Sequence, residues 1–252
     1  MIKLVLLRHG ESIWNLENKF TGWIDVDLSS NGYNEAKNAG KLLKKEGYSF
    51  DIAFTSFLKR SQNTLNLCFS EMSLDNIEIV KDWRLNERHY GSLQGLNKND
   101  MVKKHGAEQV MIWRRSYDIP PPQLDKNEST HPVHDLKYSH LNDTILPSAE
   151  SLKDVVKRIL PLWNEIIMNE LRKKKKVLIV AHGNSLRAIY KILNNISKDD
   201  ILKFNIPTGV PLVFEFDKKL IPEKNYYLGD KELIRNKIKA VINQTSSSKS
   251  KV

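Results

Sequence analysis

Short, mainly apolar runs alternate along this chain with longer amphipathic segments. The runs have the length and the bounding residues of buried β-strands, and they lie at 2–7, 51–55, 77–80, 177–181 and 210–216. Apolar residues in the longer segments recur three or four positions apart, which predicts helices at 30–45, 57–72, 97–106, 109–115, 152–167, 186–193 and 228–241. This alternation predicts an α/β fold, a three-layer sandwich whose mostly parallel central sheet has helices on both faces.

Two of these elements carry additional local signals. We expect Ser148 to cap the helix at 152–167, with Glu150 in its first turn. The strand at 210–216 contains Pro211, which favours a position at the edge of the sheet because proline cannot donate a hydrogen bond to a neighbouring strand.

A polar segment without periodicity interrupts the pattern. It opens with three prolines at 120–122 and extends to Leu146, and we expect no regular structure in it. A loop of this length is unusual inside a compact domain, which favours a lid over residues 117–147, with a solvated insertion as the alternative. The pattern as a whole predicts a single domain at 1–244, followed by a disordered polar tail at 245–252.

Composition narrows the class of protein. Cys68 is the only cysteine, so no intramolecular disulfide can form, and no run resembles a signal sequence or a membrane span. These observations predict a cytoplasmic protein without a membrane partner. The formal net charge of +10 suggests anionic partners, although lysines on polar helix faces account for most of it. Nucleic-acid binding is not expected, since the chain has neither zinc-finger spacing nor basic strands with interleaved aromatic residues.

Two histidines occupy equivalent positions at predicted strand ends. His9 follows the first run and is itself followed by Gly10, and His182 follows the run at 177–181 and precedes Gly183. The two would meet if their strands were neighbours in a parallel sheet, at the carboxyl edge where such sheets bind ligands. A histidine in this position is poorly suited to packing and well suited to act as a nucleophile.

Further cations lie where an anion site would need them, at Arg60, within the charged segment 84–91, at Lys98 and in the pair Arg114–Arg115. Guanidinium groups can bind phosphate oxygens through two hydrogen bonds, and Glu87 can move protons. The pattern predicts an anion site with one acid/base residue. No metal site is expected, because His9 and His182 lack nearby carboxylates at the usual ligand spacing.

Longer blocks around these residues carry a resemblance to a known family. They lie at 7–15, 20–23, 85–91, 96–98, 181–187, 206–211 and 226–229. In these blocks the chain resembles the cofactor-dependent phosphoglycerate mutases of the histidine phosphatase superfamily. The triplet Arg8-His9-Gly10 alone would indicate only the superfamily, whereas the longer blocks are specific to the mutases. The resemblance extends from Lys3 to about Gln244.

The resemblance implies a role for each matching residue. His9 matches the histidine that becomes phosphorylated, and His182 matches a donor to the oxygens of the transferring phosphoryl group. Glu87 matches the acid/base that exchanges protons with substrate hydroxyls, and Arg8 and Arg60 supply positive charge. The positions that match substrate-binding residues are Ser12, Asn15, Thr21, Gly22, Tyr90, Lys98, Arg114, Arg115, Gly183 and Asn184.

The reaction implied by the resemblance interconverts 3-phosphoglycerate and 2-phosphoglycerate through phosphorylated His9. It needs 2,3-bisphosphoglycerate as a primer and no metal. The resemblance also implies that the loop from Pro120 and the tail after Val241 cover the site, and that the chain forms homodimers or homotetramers.

Three alternatives stay open. A bisphosphoglycerate mutase would be expected to have glycine in place of Ser12 and a bulkier residue than Gly22. A broader phosphatase of the superfamily would not need the block at 85–98. A protein that binds phosphorylated ligands without catalysis represents a different class. The departures from the family are mild and concern the lid and subunit packing, at the pair Ser61-Gln62, the polar segment 125–140 and the serine-rich tail.

Overall fold

A six-stranded mixed sheet organises the chain in the computed structural model, which describes residues 2–243. Its strands are β1 (Ile2–Arg8), β2 (Ile52–Thr55), β3 (Glu78–Lys81), β4 (Val177–Ala181), β5 (Pro211–Phe216) and β6 (Pro222–Tyr227). Their order across the sheet is β3-β2-β4-β1-β5-β6. The first four in this order are parallel, whereas β5 runs antiparallel to both β1 and β6. The predicted α/β fold with a mostly parallel sheet is therefore confirmed.

Helices fill the connections between the strands. They are α1 (Ile13–Leu16), α2 (Ser30–Lys45), α3 (Lys59–Met72), α4 (Lys98–His105), α5 (Ala107–Arg115), α6 (Leu152–Leu162), α7 (Met168–Arg172), α8 (Gly183–Asn194), α9 (Lys198–Lys203) and α10 (Lys231–Asn243). None of the helices in the described part of the chain is both long and apolar enough to cross a membrane.

Apolar side chains of the central strands project from both faces of the sheet, which explains why those strands read as continuous apolar runs. Leu4 and Leu6 of β1 belong to one core with α6, α7 and α8. Val5 and Leu7, which alternate with them along the strand, belong to a second core with α2 and α3. Helices therefore cover both faces, as the three-layer prediction requires.

The strand at 210–216 is not at the edge of the sheet, so that prediction is wrong. β6 pairs with its outer side through the register Leu212 to Tyr227. Pro211 is tolerated because it is the first residue of β5, where a missing N–H group is least costly. Strand β6 was not predicted, because Pro222–Tyr227 has no apolar alternation and pairs through its backbone.

The helix at 152–167 also differs in detail. Its N-cap is Ser151 rather than Ser148, and Ser151 forms a capping box with Asp154. Pro161 lies inside α6, and a π-helical turn at Trp163–Ile167 follows it before α7. Proline offers no N–H group, so the regular hydrogen-bond ladder is interrupted at Pro161.

The segment 117–147 is packed and partly regular, contrary to the expectation of no regular structure. It contains 3₁₀ turns at Pro132–His134, Leu136–Tyr138 and Asp143–Ile145. Tyr138 and Leu146 share an apolar cluster with Trp23. The hydroxyl of Tyr138 accepts a hydrogen bond of 2.8 Å from the Asn86 amide. The prediction of disorder at 245–252 falls outside the described residues.

Candidate active site

The pairing of β1 with β4 brings the two strand-end histidines together. Arg8 lies opposite Ala181 in the parallel register, and the backbone N–H of His9 donates to the Ala181 carbonyl at 3.0 Å. The imidazole rings of His9 and His182 are 4.9 Å apart between centroids and inclined by 60°. The carboxyl edge of the sheet therefore carries an adjacent pair of histidines.

The surroundings of His9 define its protonation. Its Nδ1 lies 2.6 Å from the Gly10 carbonyl oxygen, which can only accept a hydrogen bond, so Nδ1 carries the proton. Burial, followed by the charges of Arg60 and Arg8, holds the pKa of His9 well below 6.5. The ring is therefore neutral at pH 7 and keeps a lone pair on Nε2, as a nucleophile requires.

His182 is completely buried immediately before α8. Its Nε2 lies 2.8 Å from the Ser56 hydroxyl, whereas its Nδ1 makes no hydrogen bond with any described residue. Burial, then Arg60 and His9, keep the pKa of His182 well below 6.5. Both histidines are thus neutral in the folded protein at pH 7.

Two arginines are fixed beside the histidine pair by backbone carbonyls. Arg8 donates to the Ile206 carbonyl at 2.8 Å. Arg60, at the start of α3, donates to the carbonyls of Ile24 at 3.0 Å and Gly22 at 2.7 Å. Burial lowers the pKa of Arg60 to about 10, so its guanidinium stays charged at pH 7. These contacts hold two positive charges in place before any ligand arrives.

Glu87 is held at the cavity wall through both its side chain and its backbone. Its Oε1 accepts from the backbone N–H groups of Arg88 at 2.8 Å and Asn184 at 3.0 Å. Its carbonyl accepts from the Trp23 indole at 2.6 Å and from Arg158 at 3.0 Å. Glu87 is 8% exposed, so the carboxylate is accessible only from the cavity that it lines.

Two residues that were not predicted to belong to the site, Arg158 and Glu150, support this turn. The Arg158 Nε donates to Glu150 at 2.6 Å, and both side chains are less than a tenth exposed. The same guanidinium donates to the Asn86 carbonyl at 2.9 Å, and Glu150 accepts from the His89 N–H at 2.8 Å. This buried ion pair fixes the backbone on both sides of Glu87.

A cationic region completes the cavity lining. Burial, then the charges of Arg114, Arg8 and Arg115, lower the pKa of Lys98 to about 7. Arg115 donates to the Asn205 side chain at 2.7 Å. So many buried positive charges oppose one another without an anion, and an anionic ligand would relieve this repulsion.

Asn184 connects the cations to Tyr90. Its amide donates to the Tyr90 hydroxyl at 3.3 Å, and its oxygen accepts from Arg187 at 3.0 Å. The guanidinium of Arg88 lies 4.6 Å from the centre of the Tyr90 ring. Burial opposes ionisation of Tyr90, but Arg88 and Arg114 together outweigh it and the pKa of the phenol is lowered.

Gly22 has a backbone conformation that favours glycine. Its φ is +56°, and a Cβ atom there would lie 2.0 Å from the Gln94 Oε1, which already accepts from the Trp23 N–H at 2.8 Å. Thr21 is buried beside it, and its hydroxyl has no partner among the described residues.

Ser12 stands apart from the cavity. It caps α1, where its hydroxyl accepts from the Asn15 N–H at 3.1 Å and its own N–H donates to the Asn15 side chain at 3.1 Å. Ser12 is fully buried and is not among the described residues that line the cavity, whereas Asn15 is. Its contacts position Asn15.

Most of the candidate residues share one cavity. Those that line it are Arg8, His9, Asn15, Thr21, Gly22, Arg60, Glu87, Tyr90, Lys98, Arg114, Arg115, Gly183 and Asn184. His182 is adjacent to His9 but is not among the described residues of this lining. Residues that sequence reasoning did not assign to the site are Lys19, Phe20, Arg187, Asn205, Ile206 and Val241. Arg187 was detectable, since it follows Asn184 by three positions on a helix. No residue of 117–147 lines the cavity in the described structure, so the lid stays a prediction.

The described residues contain no group of three or more His, Cys, Asp or Glu side chains placed to hold a metal ion.

The buried histidines predict that the protein loses stability in mild acid. Burial first of all lowers the pKa of His9, His182 and His89, the last to about 3. Below about pH 6.5 these histidines take up protons in the unfolded chain but not in the folded one. The free energy of unfolding should therefore fall as the pH falls from 6.5, by at most about 1.4 kcal/mol per pH unit for each histidine. Urea unfolding midpoints between about pH 7.5 and 5.5 measure this, and a flat profile would contradict it.

Comparison with known proteins identifies the family. The model of the histidine phosphatase superfamily (branch 1) matches residues 4–136 and 134–221. The 2,3-bisphosphoglycerate-dependent phosphoglycerate mutase of Borreliella burgdorferi (strain ZS7) is 55% identical over 244 residues, which cover 97% of this chain and 98% of that protein. The protein of the same name from Borrelia garinii subsp. bavariensis is 56% identical over the same shares.

Solved structures share the fold at low sequence identity. The alpha-ribazole phosphatase from Shigella flexneri is 19% identical with a TM-score of 0.63, covering 91% of this chain and 95% of that chain. A mycobacterial glucosyl-3-phosphoglycerate phosphatase in complex with VO₃ is 23% identical with a TM-score of 0.64, covering 85% and 93%. The structural likeness supports the fold, and the relatives that match over nearly the whole length refine the assignment. The chain belongs to the histidine phosphatase superfamily and, within it, to the family of 2,3-bisphosphoglycerate-dependent phosphoglycerate mutases.

Proposed function

We propose that this chain interconverts 3-phosphoglycerate and 2-phosphoglycerate, with His9 as the carrier of the phosphoryl group. The observation that carries the proposal is the state of His9. Its Nδ1–H is tied to the Gly10 carbonyl, and the neutral ring keeps a lone pair on its other nitrogen. This nucleophile lies beside a cavity lined by several cations, which suits a small substrate with phosphate and carboxylate groups.

The cations divide the work of binding and catalysis. Phosphoryl transfer depends on positioning and on stabilising the charge of the transferring group. Arg8 and Arg60 adjoin His9 and stabilise that charge, because their guanidinium groups are already held by backbone carbonyls. Lys98, Arg114 and Arg115 hold the carboxylate and the phosphate that is not transferred.

Glu87 moves the proton of the substrate hydroxyl. When a phosphoryl group leaves His9, the N–P bond breaks, an O–P bond forms to the hydroxyl oxygen, and Glu87 accepts the hydroxyl proton. In the reverse transfer Glu87 returns the proton to the leaving oxygen while His9 regains the phosphoryl group. The two backbone N–H groups that bind its Oε1 keep the carboxylate oriented through both steps.

The lining residues fit 2,3-bisphosphoglycerate as the primer. Thr21 Oγ1, Arg8 Nε and Arg187 Nε are buried without partners among the described residues, on side chains that line the cavity. A ligand with two phosphates and a carboxylate offers acceptors for such groups. When bound, it supplies the phosphoryl group that primes His9. Arg8 and Arg60 would hold the phosphate to be transferred.

The chain is further proposed to act in the cytoplasm as a homodimer or homotetramer. A single cysteine fits a reducing compartment. Large apolar side chains on the surface fit subunit contacts, among them Ile79 on strand β3 at 40% exposure and Leu136 at 87%.

The activity assay uses metal-free protein with 3-phosphoglycerate. We expect formation of 2-phosphoglycerate, strong stimulation by a trace of 2,3-bisphosphoglycerate, and no loss of activity with EDTA, because guanidinium groups supply the charge. Vanadate mimics the pentacoordinate transition state, so it should inhibit at concentrations at least about 100-fold below the KM for substrate. Release of inorganic phosphate without isomerisation would favour a phosphatase, and accumulation of 2,3-bisphosphoglycerate a bisphosphoglycerate mutase.

A further inference from the structure

A chain of hydrogen bonds behind His182 connects its ring to the start of α3. The His182 Nε2 lies 2.8 Å from the Ser56 Oγ, and the Ser56 Oγ lies 2.6 Å from the Ser61 Oγ. The Ser61 Oγ in turn lies 2.9 Å from the Leu58 carbonyl oxygen. Ser56, Ser61 and His182 are completely buried. Solvent therefore cannot substitute for any of these contacts.

Each serine hydroxyl has a single proton, which fixes the donor and the acceptor of every hydrogen bond between Leu58 and His182. The Leu58 carbonyl can only accept, so the single hydroxyl proton of Ser61 is used there. The contact between the two serines must then use the proton of Ser56. The Ser56 oxygen also accepts from the Leu58 N–H at 3.0 Å, which leaves it one further lone pair. Only a proton on His182 Nε2 satisfies the last contact.

We infer that Ser56 and Ser61 are positioning residues that hold neutral His182 as the tautomer with its proton on Nε2 and a lone pair on Nδ1. The opposite tautomer would place the lone pair of Nε2 against an oxygen whose own proton is already used. At least one buried hydrogen bond would then be lost, which favours the inferred tautomer by roughly tenfold or more. Nδ1 is the ring nitrogen without a partner among the described residues.

The tautomer has a consequence for phosphoryl binding, and this step rests on the proposed function. Nε2 is committed to Ser56, so Nδ1 is the nitrogen left to contact a phosphoryl group on the adjacent His9. A lone pair there would repel phosphoryl oxygens, whereas an imidazolium would donate to them. Arrival of a dianion therefore brings one proton to His182.

The charged and titratable groups around His182 agree with this sequence of events. Arg60 on α3, His9 and Arg8 at the end of β1, and Arg158 on α6 act on its ring, and all four are cationic or neutral. The nearby carboxylate is that of Glu87, which accepts from the Asn184 N–H. Burial and the cations outweigh it, so His182 stays unprotonated without a ligand. A dianion beside the ring adds negative charge and stabilises the imidazolium.

The Ser61→Ala variant tests the inference without touching a residue of the cavity lining. It removes the acceptor of the Ser56 hydroxyl proton. The Ser56 hydroxyl can then turn and donate to His182 Nε2, and the ring proton moves to Nδ1. Ser70→Ala is the matched control, because Ser70 is an exposed residue of the same helix. Ser61→Thr keeps the hydroxyl and should keep the original tautomer.

The tautomer is read by nitrogen NMR of ring-labelled histidine at pH 7, with the His182 signals among the seven histidines assigned by their loss in His182→Gln. We expect a proton on Nε2 in the wild type, in Ser70→Ala and in Ser61→Thr, and a mixture of tautomers in Ser61→Ala. A proton on Nδ1 of His182 in the wild type overturns the inference, and this reading needs only the His182→Gln protein used for assignment. An unchanged tautomer in folded Ser61→Ala overturns the role of Ser61.

Sulfate serves as the dianion probe, because it does not titrate near neutral pH. We expect its affinity for the wild type to fall with rising pH by up to tenfold per unit, and less steeply for Ser61→Ala, in which Nδ1 can already donate. Lys98 contributes the same pH dependence of sulfate affinity in both proteins. The difference between their slopes of affinity against pH is therefore due to His182. Equal slopes overturn the coupled protonation. Neither measurement needs turnover, so failure of the mutase assay would leave the tautomer result intact.

Discussion

Replacing His9 by alanine should abolish phosphoenzyme formation. Isomerase activity should fall by at least about 10⁴-fold, because alanine offers no lone pair to attack phosphorus. The remaining cations would still bind the substrate, so the affinity for phosphoglycerate should change much less than turnover. The measurement is the transfer of radiolabel from labelled 2,3-bisphosphoglycerate to protein, combined with a turnover assay.

His134→Ala is the matched control for this prediction. His134 is an exposed histidine in the segment 117–147, and its removal should leave labelling and turnover at the wild-type level. Radiolabel that persists on folded His9→Ala would place the nucleophile on another residue. The cavity lining would then have to be reinterpreted as a binding site next to a different catalytic group.

Replacing Glu87 by glutamine should slow phosphoryl exchange with substrate hydroxyls by roughly 10²–10⁴-fold. The glutamine oxygen can still accept from the Arg88 and Asn184 N–H groups, so the geometry of the turn should be retained. What the variant lacks is a group that accepts and returns a proton. Phosphorylation of His9 by a donor with a good leaving group should therefore be spared, since that leaving group needs no proton.

Comparing exchange with substrate hydroxyls and phosphorylation by the donor with a good leaving group separates a chemical effect from a structural one. A loss of rate of similar size in both reactions would indicate that glutamine disturbs the site. Unchanged turnover would reject the acid/base role of Glu87. Glu108→Gln, at an exposed glutamate in the first turn of α5, controls for the general effect of removing a carboxylate.

The sequence was sufficient to predict the features that depend on local pattern. Continuous apolar runs predicted strands buried on both faces, and a histidine at the end of two such runs predicted the edge at which His9 and His182 meet. Parallel strands align their carboxyl ends, so residues distant in sequence could be placed side by side. The cations of α5 and the start of α4 follow from the same reasoning together with the family resemblance.

Features that depend on specific long-range contacts were not predictable. Nothing in the spacing of Arg158 and Glu150 indicates that the guanidinium binds the carbonyls around Glu87. The hydroxyl chain from Ser61 to His182 joins α3 to the end of β4, and a buried serine on a helix gives no sign of such a partner. Strand β6 was missed for a related reason, because its pairing with β5 uses backbone groups that every sequence has.

The position of β1 within the sheet has a consequence for biosynthesis. Among the six strands β1 comes first along the chain, yet both of its neighbours, β4 and β5, follow only after α6 and α7. During translation the apolar side chains of β1 therefore stay unpaired until β4 and β5 have emerged, a state that favours chaperone binding and exposes the chain to aggregation. Closing such distant contacts also slows folding. The nucleophile is thus synthesised well before the strands that complete the edge on which it becomes reactive.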